Sequence, residues 1–146
     1  MRRIGKFFRL NRKEKEIFLQ AVFLLTSSRL SLHFKEFNEV VNHYGKQVGQ
    51  QHSVENNIIS PARIVALLEA GGKLIPFTTC LSKSLAGSVL MRKYGYTPVL
   101  HIGVAKENVN VLEAHAWLSL NDKIIVGNCH DLERYRELPF LFNESI

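Results

Sequence analysis

The apolar periodicity changes once along this chain, and that change constrains the fold more than any other feature. Before Pro76 the apolar residues recur at helical spacing, and after one further helix they alternate every second residue. Helices followed by a run of strands predict an α+β fold rather than a repeated βαβ unit. Asn11 is placed to cap a helix starting near Arg12, with Glu14 three residues on to complete a capping box. Residues 17–25 are apolar nearly all round, interrupted only by Gln20, so that helix is expected to be buried. Phe34, Phe37, Val40, Val41 and Tyr44 form the stripe of a second helix that stops near Gly45, followed by a polar loop over 45–57. Ser60 caps a third helix with Pro61 at its first position, and Gly71-Gly72 ends it.

Beyond Pro76 a helix starts at Cys80 and stops at Tyr94-Gly95. Residues 99–104 and 114–120 read as strands, and Asn121-Asp122 as a two-residue turn into a third strand, Lys123–Val126. In the second strand Ala114, Ala116, Leu118 and Leu120 share one face, and His115, Trp117 and Ser119 the other. Nothing marks a linker. The expectation is one domain over 1–146, mostly helical over 1–75, with the cysteine helix and antiparallel strands over 76–146.

Charge and cysteines narrow the function. Of the net +6, all resides in residues 1–15, where seven basic side chains meet Glu14 alone. Such an arm suits nucleic acid, an anionic membrane or an acidic partner, or is an ordinary solvated segment. The two cysteines are too few for a disulfide framework and suggest free thiols in a reducing, cytoplasmic setting. Met1-Arg2-Arg3 leads into a charged stretch, so no secretory signal is expected. The apolar window of 17–25 is far short of the roughly 20 residues of a span, so no transmembrane segment is expected. Cys129-His130-Asp131 are metal-capable neighbours that cannot all face one ion, and Gly71-Gly72-Lys73 lacks phosphate-loop spacing. Neither metal nor cofactor is expected.

The chemistry converges on Cys80. It occupies the first turn of its helix behind Thr78 and Thr79, either of which can cap it. Unpaired N–H groups and the helix dipole stabilise a thiolate there, and the same N–H groups can serve a tetrahedral oxyanion. The plainer alternative is a small apolar residue at the edge of the Leu81, Leu85, Val89 stripe. His115 is the expected base, and an imidazole beside that thiol would activate the sulfur. His101 is its rival, set lower because it sits in an apolar, structural run. If Leu120 pairs with Lys123 across the turn, His115 faces Asn128 with Cβ atoms about 5 Å apart. The Asn128 carboxamide could then orient the imidazole. A bulge would shift this pairing and bring Asp131 into contention; Asp122 fits turn chemistry.

These residues resemble a known family. Cys80-Leu81-Ser82-Lys83-Ser84-Leu85-Ala86, then Ile102-Gly103-Val104, then Ala114-His115-Ala116-Trp117, are similar in order and spacing to the lasso peptide leader peptidases. Leu10-Asn11-Arg12-Lys13-Glu14, the apolar helix and Arg29-Leu30-Ser31-Leu32 extend the likeness over nearly the whole chain. Those proteins are cysteine proteases with a transglutaminase-like, papain-like core, the protease half of the lasso peptide B protein. The resemblance implies Cys80 as nucleophile and His115 as histidine. The family's aspartate about a dozen residues further on has no counterpart, because Gly127 and Asn128 stand there. It implies removal of a leader peptide from a ribosomally made precursor, working beside a separate leader-binding protein and a cyclase. Two other readings fit the residues: a transglutaminase-like acyl transferase that passes the acyl group to an amine, and a non-enzymatic basic binding module. Against a nucleic-acid module, residues 16–146 are neutral and no recognition helix is evident.

Overall fold

Side-chain caps divide the helical half of the chain, and three of the four α-helices with assigned bounds start where the sequence placed a cap. The computed structural model describes residues 2–36, 39–40, 42–43 and 59–138. Helix α1 spans Arg2–Phe8 and α2 spans Arg12–Phe34. The capping box of α2 forms as expected. Asn11 Oδ1 accepts from the Glu14 N–H at 2.8 Å, and the Glu14 carboxylate accepts from the Asn11 N–H at 3.1 Å. Helix α3, Pro61–Gly72, is capped by Ser60, whose hydroxyl accepts from the Arg63 N–H at 3.3 Å. Helix α4, Cys80–Lys93, is capped by Thr79 in a second box. The Thr79 hydroxyl accepts from the Ser82 N–H at 3.2 Å, and the Ser82 hydroxyl accepts from the Thr79 N–H at 2.9 Å. Each such cap stabilises its helix by about 1 kcal/mol.

Four antiparallel strands follow: β1 Val99–Asn108, β2 Val111–Leu120, β3 Lys123–Val126 and the short β4 Arg136–Glu137. Their order across the sheet is β3-β2-β1-β4. The turn between β2 and β3 is the two-residue type expected, with positive φ at both Asn121 and Asp122 (50° and 63°).

Helix α4 is central because its sequence is small on several sides. Ser82, Ser84, Ala86, Gly87 and Ser88 are buried, letting α2, α3 and the sheet approach closely. A methyl group at Gly87 would meet Leu68 at 3.1 Å and Leu118 at 3.2 Å, so only glycine seats α4 between α3 and β2 without a shift. The core joins Ile17, Ala21 and Leu25 of α2, Ile64, Leu67 and Leu68 of α3, Leu90 and Met91 of α4, and Leu118 and Val126 of the sheet. Each fully buried aliphatic side chain there contributes about 1.5–3 kcal/mol from burial alone.

The basic N-terminal segment is helical, pinned to α2 by Phe7 against Phe18 at 5.3 Å. Two expectations are corrected. Helix α2 is not buried all round: Ile17, Ala21, Leu25 and Ser28 face the core, while Leu19 and Phe23 are 58% and 71% exposed. At 23 residues, with mean hydropathy 1.3 over its most apolar stretch, α2 is also long and apolar enough to cross a membrane. Phe34, expected in a second helix, is the last residue of α2. Of that expected helix, Glu39, Val40, Asn42 and His43 are helical, Val40 packing on Leu85. Its residues Phe37, Val41 and Tyr44, and the expected loop at 45–57, lie outside the described residues.

Candidate active site

Cys80 is the first residue of α4, partly exposed, on the wall of an open cleft of about 430 Å³. Thr78, Thr79 and Lys83 line the same side, Val65 and Glu69 of α3 the next, and Ile125 to Asn128 the third. Thr79 takes up the Ser82 N–H, so the Cys80 and Leu81 N–H groups remain without intrahelical partners at the helix start. Lys83, one turn past Cys80, is held by Glu69 at 2.8 Å. That pair was not anticipated from sequence, although the i, i+3 spacing from Cys80 marks Lys83 as a neighbour of the thiol's helix face.

The strand register decides where the other candidates stand. Val126 pairs with Leu118, but Ile124 pairs with Ser119 and Lys123 with Leu120, so a bulge interrupts β3. That extra residue removes the expected alignment of His115 with Asn128, and β3 ends at Val126 before reaching either. Asn128 instead is exposed and lines the cleft with Cys80.

His115 of β2 pairs with Gly103 of β1, on the sheet face that also carries Trp117. Its ring stacks near Trp117 (6.1 Å, 19°) and against Tyr135 (5.2 Å). Its Nε2 is 2.6 Å from the Gly127 carbonyl oxygen. A carbonyl can only accept, so Nε2 carries the proton, and in the neutral ring the lone pair is on Nδ1. Cys80 packs beside Ile102 and Ala116, which point to the other face, and no hydrogen bond joins Cys80 to His115. The two residues meet the same short segment from opposite sides: Cys80 shares the cleft with Gly127, and His115 holds the Gly127 carbonyl.

Gly127 is at φ +78°, and a Cβ there would lie 2.5 Å from the Ala116 carbonyl oxygen and 3.0 Å from the Trp117 Cα. Only glycine turns the chain this tightly against β2 and aims its carbonyl at the imidazole.

The remaining candidates are engaged elsewhere. His101 uses both ring nitrogens, Nδ1 at 2.5 Å from a Glu137 carboxylate oxygen and Nε2 at 2.7 Å from the Ser119 hydroxyl. It also stacks on Trp117 at 5.3 Å, within 7° of parallel. Asp131 accepts from Arg134 Nε at 2.8 Å. The Cys129 thiol, and then Arg134, hold its carboxyl below the usual range. Burial, then the neighbouring Asp131, pushes the Cys129 thiol up, which keeps it protonated and weakly nucleophilic. Among the described residues no group of three or more His, Cys, Asp or Glu side chains is placed to hold a metal ion.

A cysteine at a helix start, a cleft with a cationic side chain, and a strand histidine held by a carbonyl can support acyl transfer through a thioester. A family model described as the transglutaminase-like superfamily matches residues 23–139. No curated protein and no solved structure matches the chain. The match covers about four-fifths of the residues, and the chain belongs to the transglutaminase-like superfamily.

Proposed function

We propose that this transglutaminase-like chain is a cysteine peptidase that removes the leader from a ribosomally made lasso peptide precursor, with Cys80 as nucleophile and His115 as base. Superfamily membership supports cysteine-based hydrolysis or acyl transfer, and the residue pattern around Cys80 and His115 supports the narrower reading. The observation that carries it is Cys80 at the capped start of α4, on the wall of an open cleft of about 430 Å³.

In this reading Cys80 passes its proton to His115 Nδ1, and the thiolate attacks the carbonyl carbon of the scissile bond. The oxyanion is met by the N–H groups at the α4 start and by the Asn128 carboxamide on the facing wall. Collapse breaks the C–N bond as His115 returns the proton to the leaving amine. Water, deprotonated by His115, then hydrolyses the thioester and restores the Cys80 thiol. The Gly127 carbonyl takes the orienting role that a carboxylate or carboxamide fills in other triads, by accepting the Nε2 proton. Cys80 and His115 meet the Gly127 segment from opposite sides, so this step requires substrate binding to shift that segment and bring Nδ1 to the sulfur. Catalytic contacts that are long without substrate commonly tighten in the complex. A separate leader-binding protein delivers the precursor, and a cyclase takes up the freed core.

The test is cleavage of a lasso precursor by the full chain together with a leader-binding protein, read by mass spectrometry of leader and core. The parent protein should release both, Cys80→Ala neither, and Cys129→Ala both at near-parent rate. A Cys80→Ala protein that still cut the precursor would sink the assignment.

A further inference from the structure

The outward face of α2 is left unexplained by the cleft chemistry. Leu19, Phe23, Leu30 and Phe34 are 58%, 71%, 53% and 78% exposed. Their spacings of four, seven and four residues place them along one line of the helix, opposite the buried Ile17, Ala21, Leu25 and Ser28. The line runs for about 22 Å at 1.5 Å per residue. Beside its N-terminal half, Leu19, Phe23, Leu24 and Val89 line a groove of about 410 Å³ with the exposed Lys93 at its rim. Large protruding apolar side chains in one line are more than the scattered exposure of an ordinary surface.

Charge states what covers this face. The +6 of residues 1–15 equals the net charge of the whole chain. That segment is the helix α1 and the first turn of α2, with Lys6, Phe8, Arg9 and Arg12 exposed. The Phe7–Phe18 contact, with Lys15 over the Phe7 ring at 5.9 Å, fixes the cationic helix at the N-terminal end of the apolar line. A second copy of this chain on the same face would bring two such arms together, against their mutual repulsion. We propose that α1 and the outward face of α2 attach the protein to the surface of an anionic phospholipid bilayer. Leu19, Phe23, Leu30 and Phe34 enter the headgroup–acyl boundary, and the basic side chains meet lipid phosphates. Helix α2 lies in the plane of the surface rather than crossing it, because its other face is committed to α3 and α4 and its first turn is tied by Glu14 to Arg63 at 2.7 Å.

The experiment is co-sedimentation of the full chain with vesicles of phosphatidylcholine alone, or of phosphatidylcholine with phosphatidylglycerol, at low and high sodium chloride. The chain should sediment with the anionic vesicles only and be released by salt. Each basic side chain near the surface is worth about fivefold in partitioning, so K6E/R9E should weaken binding by at least about 25-fold. The F23S/F34S variant should weaken it by tenfold or more. All four positions are exposed, and thermal melts confirm that the variants stay folded. Equal binding to both vesicle types, binding unmoved by F23S/F34S, or binding that survives high salt and alkaline extraction would overturn the proposal. So would a lipid-free dimer on size exclusion that F23S/F34S dissociates, or an acidic protein that needs the same four residues while vesicles do not sediment the chain.

Discussion

Replacing Gly127 by alanine tests the geometry on which the orientation of His115 depends. Two costs follow from the structure. At φ +78° an alanine is in the left-handed region, which costs about 1–2 kcal/mol. Its Cβ would lie 2.5 Å from the Ala116 carbonyl oxygen, a backbone atom of the strand paired on both sides by β1 and β3, so Gly127 must move instead. Forced repacking of that kind costs typically about 1–3 kcal/mol. The sum is roughly 2–5 kcal/mol, and at about 4 °C per kcal/mol for a chain of this size the melting temperature should fall by about 8–20 °C. Gly95→Ala is the control, because Gly95 also has positive φ (86°) but ends α4 at an exposed position. It should show the first cost without the collision with β2.

The same movement carries the Gly127 carbonyl away from His115 Nε2. Below the melting transition, where Gly127→Ala is still folded, kcat on the precursor should fall roughly 10–100-fold, as expected for a displaced orienting group. Gly95→Ala should keep the parent kcat. The reasoning fails if Gly127→Ala melts within about 2 °C of the parent, an amount well under 1 kcal/mol. It also fails, on the catalytic side, if the variant melts low but turns over at the parent rate.

His115→Ala should fold and lose activity by several orders of magnitude, as loss of a triad base does. His101→Ala should lower the melting temperature instead, because it frees Ser119 and Glu137 and uncovers Trp117. A folded, inactive His101 variant beside an active His115 variant would reverse the two roles. Asn128→Ala should cost about 10²–10³ in kcat as loss of an oxyanion donor. Asn128→Asp should be no better, since a carboxylate cannot donate to an oxyanion; full activity of that variant would instead make Asn128 the group that orients His115. Glu113 and Asp131 both titrate below their ordinary 4.5 and 3.8, Glu113 through Tyr135 and then Arg134, and Asp131 through Cys129 and then Arg134. Carboxyls lowered on folding stabilise above their unfolded pKa and lose that contribution as pH falls through and below about 4. Arg134→Gln should flatten the acid limb of a stability-against-pH curve in that window, and an unchanged limb would exclude the cluster as its source.

What could be read from sequence was local. Asn11 with Glu14, Ser60 with Pro61, and Thr79 before Cys80 each satisfy N–H groups within three or four residues, so the caps are written where they act. The Asn121-Asp122 turn is local in the same sense. The cleft was not local. Glu69 and Val65 reach Cys80 only because Gly87 lets α4 sink between α3 and β2, a packing relation with no periodic signal. Tyr135 reaches His115 after a short turn and 3-10 segment at 131–134 that breaks the alternation.

The apolar run of α2 shows a further way in which pattern underdetermines structure. A helix apolar on every side names no buried face, because the moment that would point to the core is close to zero. The core chose Ile17, Ala21 and Leu25, which leaves Leu19 and Phe23 outside. The third triad position was lost for a different reason. Counting back from the turn assumed an unbroken ladder, and one bulge in β3 is enough to withdraw Asn128 from His115. What the bulge leaves opposite the imidazole is a backbone oxygen, which any residue carries, so no side-chain pattern can announce it. The only trace is the residue type that the geometry forces: a glycine at positive φ, pressed against the Ala116 carbonyl, one residue before the Asn128 whose carboxamide was expected to face His115.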